Sequence, residues 1–131
     1  MGKQAKASGA GNKGDKVSEI CLALPAAERS VGHDHVTYRV RGKVFAYFLD
    51  DHHGDGIVSV CVKAELGENK DRVRRDPEHY YLPDYIGPRG WFGLRLDHGR
   101  VDWREVASIV ERSYRLTAPK TLLKQLDAAR A

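Results

Sequence analysis

Val36-Thr37-Tyr38-Arg39-Val40-Arg41-Gly42-Lys43-Val44-Phe45-Ala46-Tyr47-Phe48-Leu49 is the stretch that decides the fold. Val36, Tyr38 and Val40 alternate with Thr37, Arg39 and Arg41, the two-residue period of a half-buried strand. Gly42 marks a tight turn. The run Val44 to Leu49 is rich in aromatic and β-branched side chains and reads as a second strand. With Arg41-Gly42-Lys43 as a three-residue turn, Val40 falls opposite Val44 and Tyr38 opposite Ala46. That register puts Val36, Tyr38, Val40, Val44, Ala46 and Phe48 on a core face. Thr37, Arg39, Arg41, Lys43, Phe45 and Tyr47 then share the other face. A polar loop, Asp50 to Gly56, leads to a third strand, Ile57 to Ala64. Connections this short make the three strands antiparallel neighbours.

On the N-terminal side, Val17, Ile20, Cys21 and Leu24 recur at helical spacing and predict a helix from about Lys16 to Ala27. On the C-terminal side, residues 67–76 predict a short polar helix stopped before Pro77. The stretch from Glu78 to Gly90 is irregular and aromatic, with Pro83, Gly87, Pro88 and Gly90 as breakers. Trp91 to Leu96 reads as a fourth strand, with room for a short fifth nearby. Asp102 is a good N-cap with Glu105 three residues on, and Val101 and Val106 sit at the two staple positions. Trp103, Val106, Ile109, Val110, Ser113 and Tyr114 then line one helical face ending near Leu116, and Pro119 opens a last helix. The order α-β-β-β-α-β(β)-α predicts an α+β fold, a two-layer sandwich with helices on one face of an antiparallel sheet.

At 131 residues the chain is long enough for one domain, and 41% hydrophobic against 31% charged residues is a globular balance that needs no disulfide or metal to build a core. Residues 1–15 hold no large apolar side chain after Met1 and predict a flexible basic tail before a single domain at 16–131. The net charge is +4. Residues 1–16 carry four lysines against Asp15, so the remaining chain carries only +1. Charge alone therefore does not make the domain a nucleic-acid binder. Cys21 and Cys61 belong to no CxxC or zinc spacing and read as buried hydrophobes in a reducing compartment. With no apolar span and no secretory h-region, the expected location is the cytoplasm, with no membrane partner. The oligomeric state stays open, with a monomer as the default.

Several runs have a familiar order and spacing. These are Gly42-Lys43-Val44-Phe45-Ala46, Asp76-Pro77-Glu78-His79-Tyr80-Tyr81, Pro83-Asp84-Tyr85-Ile86-Gly87-Pro88-Arg89-Gly90-Trp91, Ser113-Tyr114-Arg115-Leu116 and Ala118-Pro119-Lys120. Together they resemble the MmcQ/YjbR family over roughly residues 16–126. The resemblance implies a compact α+β fold similar to frataxin and to secretion chaperones. It also implies DNA binding through a double-wing arrangement of hairpins, and it offers no catalytic residue. Many members carry Lys before the Trp. Here Arg89 stands two residues before Trp91, which keeps the charge and changes the contact geometry.

Three constellations could carry function. A basic hairpin with interleaved aromatics, Arg39, Arg41 and Lys43 with Arg95 beyond, suits phosphate contact and base stacking. The same residues are also the ordinary solvent face of a one-sided sheet. The loop residues Tyr85, Arg89 and Trp91 could stack a base and hold a phosphate, or merely pack the loop down. His33-Asp34-His35 and Asp50-Asp51-His52-His53 meet at the open end of the hairpin, since position 34 falls opposite position 50. Two His and a carboxylate there could bind zinc or nickel, but they lack a recognised metal-ligand spacing and read first as solvated polar loops, so no metal or cofactor is expected. No Walker, GxGxxG or GxSxG motif is present. Cys61 lies in an apolar strand where a thiolate is disfavoured, so the chain is expected to be a non-enzymatic binding protein. DNA is the first expected partner. A protein-interaction or chaperone-like adaptor, and a small-molecule or metal-binding protein, are the alternatives.

Overall fold

The computed structural model describes residues 11–131. Helix α1 (Gly11–Leu22) leads into β1 (Ala27–Val31), β2 (His35–Val40), β3 (Lys43–Asp50) and β4 (Val58–Lys63). Then come α2 (Glu68–Arg75), β5 (Tyr80–Tyr81), β6 (Trp91–Arg95), α3 (Trp103–Thr117) and α4 (Lys120–Ala129). The six strands form one antiparallel sheet in the order β1-β2-β3-β4-β6-β5. Val17 and Cys21 of α1, Val106, Ile109, Val110 and Tyr114 of α3, and Leu122 and Leu126 of α4 are buried in one core. Tyr38, Val40, Phe45, Phe48, Val60, Val62, Phe92 and Leu94 meet them from the sheet. This is the expected two-layer α+β sandwich.

The helix stop and start signals behave as their chemistry demands. The Asp102 carboxylate accepts from the backbone N–H groups of Arg104 and Glu105 and opens α3. Helix α4 starts directly after Pro119. At the N-terminus the boundaries move. Helix α1 begins at Gly11, inside the segment predicted to be tail, and ends at Leu22 instead of Ala27. The tail expectation for residues 1–10 lies outside the described residues. After Pro25, Ala26 takes a left-handed φ of 59° and turns the chain into the unpredicted edge strand β1.

The hairpin register also differs from the sequence reading. Arg41 and Gly42 both have positive φ, 50° and 80°, so the turn is a two-residue type I′ with Val40 opposite Lys43. Tyr38 still pairs with Ala46, but Arg39 pairs with Val44, which leaves Phe45 as the extra residue of a β-bulge. The bulge turns Phe45 into the helix-side core, edge-to-face on Tyr114 at 5.4 Å, and sends Val44 to the opposite face.

A bulge leaves ladder groups unpaired, and a helix side chain takes them here. Buried Ser113 of α3 donates to the Phe45 carbonyl at 2.6 Å and accepts from the Lys63 N–H at 3.0 Å. One hydroxyl thus closes the gap between β3 and β4. Replacing Ser113 by Ala strands both backbone groups, so a loss of about 1–3 kcal/mol is expected in urea unfolding. A Ser113→Ala variant as stable as the parent would mean that water fills the gap.

Candidate nucleic-acid interface

The face of the sheet away from the helices is built by Val44, Tyr47 and Leu49 of β3 and by the odd positions of β4 and β6. In β4, Ser59, Cys61 and Lys63 stand opposite Arg95, Gly93 and Trp91 of β6. Leu49, Cys61 and Trp91 form a second small core here, with Val44, Tyr47, Tyr81 and Ile86 packed on it. Gly93 is a packing requirement, because a Cβ there would collide with the Tyr81 ring that lies across it. The Tyr81 hydroxyl shares a 2.7 Å hydrogen bond with Ser59. The Cys61 thiol beneath is fully buried, and burial pushes its pKa up to about 11, which keeps it an unreactive thiol.

At one end of this face the chain encloses a cavity of about 490 Å³. Its floor is sheet, with Tyr47, Leu49 and Tyr81, and its sides are two loops carrying His52, His53 and Ile57, and Leu82 to Ile86. The second loop is fixed from behind. Buried Asn69 of α2 donates its amide to the Gly87 carbonyl at 2.8 Å and to the Trp91 carbonyl at 3.1 Å. Tyr85 rides on that loop with a left-handed φ of 66° and is 80% exposed, its ring edge-on to His53 at 6.4 Å. Asp51 and His53 across the cavity also have positive φ, 57° and 61°. Bulky residues held in this region of backbone space concentrate at ligand sites. Replacing Asn69 by Ala leaves two buried carbonyls without a donor. Faster amide exchange across residues 83–90 is the expected result, with β2 and β3 unchanged; unaltered exchange in the loop would show that Asn69 does not hold it.

The other end of the face is basic. Burial, followed by the nearby charges of Lys43 and Arg89, lowers the Lys63 pKa. The three cations therefore crowd one another. None of them makes an ion pair among the described residues. The Lys63 ammonium sits 5.9 Å from the centre of the Trp91 ring, and that ring lies 5.4 Å from Tyr47 on the cavity floor. Trp91 thus packs between the Lys63 ammonium and the Tyr47 ring of the cavity floor.

The residues singled out from the sequence divide across this geometry. Lys43 and Arg89 belong to the basic cluster, and Tyr85 stands free at the cavity mouth. Trp91 is not a free stacking platform: it is only 6% exposed, because Lys63, Tyr47 and Ile86 cover it. Arg95 is taken up by Asp97, with hydrogen bonds of 3.0 and 3.2 Å. Arg39 donates to Ser30 of the edge strand at 3.0 Å. Arg41 points its charge toward the helix side, where it acts on Tyr114 against the burial that raises that phenol's pKa. Tyr47 stands on the open face as the sequence alternation placed it, and Tyr81 belongs to the aromatic stretch Glu78 to Gly90; Lys63 was missed, although the alternation Ser59-Val60-Cys61-Val62-Lys63 already places it on the face opposite the core.

The molecule is thus a small α+β domain, an open-faced antiparallel sheet with helices behind and a ring-lined cavity on the open face. Residues 22–116 match the family model described as YjbR, nearly three quarters of the sequence, and the chain belongs to the YjbR family. The crystal structure of Deinococcus radiodurans protein DR2400, which carries the DUF419 family-model domain, is similar at a TM-score of 0.64 and 17% identity. The match covers 78% of this chain and 75% of that one, and at this identity it establishes the shared fold alone. No curated protein matches the sequence. No helix among the described residues is long and apolar enough to cross a membrane.

Proposed function

We propose that this chain is a nucleic-acid-binding protein that takes an unpaired strand along the open face of its sheet. The observation that carries the reading is the crowding of Lys63 by the charges of Lys43 and Arg89, with no ion-pair partner for any of the three among the described residues, on a sheet whose open face also holds the Tyr-lined cavity. Cations without carboxylate partners suit phosphates, and a cavity walled by tyrosine and histidine rings suits a base turned out of the stack. A duplex hides its base faces and would use only the basic end. No catalytic role is proposed for the face: its buried thiol is held protonated, and its chemistry is that of contact and stacking.

The test is fluorescence anisotropy of a labelled oligothymidylate titrated with the full chain at several salt concentrations. Three phosphate contacts on a single strand should give a log–log slope of roughly −2, with a duplex of the same length binding more weakly. Equal affinity for strand and duplex would remove the cavity from the reading, and affinity that ignores salt would remove the basic cluster. A small ring-bearing anion is the second reading, favoured by a cavity volume within the ordinary range for small-molecule sites. Under it, a mononucleotide would bind as tightly as the oligonucleotide.

A further inference from the structure

At the open end of the β2–β3 hairpin, two of the cavity's histidines belong to a cluster with a further chemistry beyond walling a base. Asp34, His35 and His52 bring one carboxylate oxygen and two imidazole nitrogens to within 4.8 Å of one another. Asp34 Oδ1 lies 3.2 Å from His35 Nδ1 and 2.8 Å from His52 Nδ1. Ligands about 2.1 Å from a tetrahedral zinc ion stand roughly 3.4 Å apart, so small side-chain adjustments would open the cluster around an ion. We propose that Asp34, His35 and His52 form a site for a divalent first-row transition metal such as zinc, with its remaining coordination positions turned toward the cavity.

Four features fit this assignment. The donor set, two imidazoles and a carboxylate, is the borderline set that such metals take in open sites. The carboxylate is held in place from its other side, as Asp34 Oδ2 accepts from the His53 backbone N–H at 3.3 Å. Backbone contacts that fix a ligating carboxylate are the usual support of a metal site. The His35 ring has a seat made for it: a Cβ on Gly32 would come within 2.6 Å of the ring carbon Cε1, so any larger residue there would push His35 away. Asp51 and His53, which flank His52, carry the left-handed backbone that turns this loop back toward Asp34. His35 and His52 both line the cavity. A metal there would face whatever the cavity holds and offer an anchor to an anionic or nitrogen-bearing group. The assignment uses none of the three cations, and it shares His35 and His52 with the cavity of the nucleic-acid reading.

The test uses the full chain and metal alone, with no nucleic acid present. Chelator-buffered zinc titration should give one site per chain. Cobalt(II) should give visible d–d absorption that zinc displaces. His35→Ala and His52→Ala should each weaken binding by more than the 10–100-fold typical of losing a supporting residue. His98→Ala, away from the cluster, should leave it unchanged. Gly32→Ala should weaken zinc binding with the far-ultraviolet circular dichroism intact, as a displaced His35 ring requires. On the unmodified chain, zinc should shift the ring-nitrogen resonances of His35 and His52 first, a readout that needs no variant to fold. Zinc binding as tight in the His35→Ala/His52→Ala double variant, or ring shifts confined to His33, His79 or His98, would overturn the assignment and leave the cluster a hydrogen-bonded network.

Discussion

Neutralising Lys43, Lys63 and Arg89 together, as Lys43→Gln, Lys63→Gln and Arg89→Gln, should weaken single-strand binding by on the order of 10²- to 10³-fold at about 50 mM salt. The size follows from counterion release. Each phosphate contact on a single strand contributes about 0.7 to the log–log salt slope, which extrapolates to nearly a decade of affinity per contact at that salt. Lys43 and Arg89 stand close enough to act on the Lys63 charge, and none of the three has an ion-pair partner among the described residues, so the loss should also flatten the slope. Stability should hold or rise slightly, because mutually repelling charges are removed; the thermal midpoint of the same variant measures this. Neutralising Arg39 and Arg95 should do far less, since Ser30 and Asp97 already occupy them. Equal losses from both sets would mean a diffuse electrostatic attraction with no defined site. A chain beginning at Gly11 should keep most of the affinity; loss of binding with residues 1–10 would move the contact to that segment.

Replacing Tyr114 by Ala should produce the largest loss of stability. The ring is fully buried between helices and sheet, stands edge-to-face on Phe45, and its hydroxyl donates to the Pro25 carbonyl at 2.7 Å. Emptying an aromatic core position costs about 3–5 kcal/mol, a large share of the roughly 5–15 kcal/mol that holds a domain. At this chain length the thermal midpoint should fall by roughly 15 °C. Tyr114→Phe keeps the ring and loses only the hydrogen bond to Pro25, so it should cost about 1 kcal/mol. That hydrogen bond ties α3 to the turn before β1, and amide exchange in β1 should rise in the Phe variant. A Tyr114→Ala chain as stable as its parent would mean that α3 is not seated on the Phe45 bulge.

The bulge marks where sequence reasoning ran out. Helix α3 was legible almost to the residue because Asp102, Glu105 and the staple pair Val101 and Val106 are local signals. The hairpin was legible as a hairpin, since Gly42 and the alternation before it are local too. Its register was not. Val44 through Leu49 is an unbroken apolar run, which hides the phase of a two-residue period, so nothing marked Phe45 as the extra residue. Strand β1 was invisible for a related reason. Ala27-Glu28-Arg29-Ser30-Val31 is an edge strand with four of its five residues exposed, and its pairing comes from β2 alone. The meeting of Asp34 with the His52 loop was legible, because it depends only on where the hairpin opens; the Asp50 N–H does donate to the Asp34 carbonyl at 3.1 Å. The basic cluster was half legible. Lys43 and Arg89 announce themselves by charge, but Lys63 joins them only through β4 pairing with β6, a contact between residues far apart in the chain. Trp91 misled for the opposite reason: its loop suggested exposure, whereas the sheet register puts it under Lys63 and against Tyr47.

The most direct measurement is amide chemical-shift mapping of the full chain as a short oligothymidylate is added. The nucleic-acid reading expects the perturbed residues to trace one face, from Lys43 and Val44 through Tyr47, Cys61 and Lys63 to Tyr85, Arg89 and Trp91, and the perturbations to fade as salt is raised. Shifts confined to residues 1–10 or to the outer surface of α3 and α4, or no shifts at saturating oligonucleotide, would contradict it.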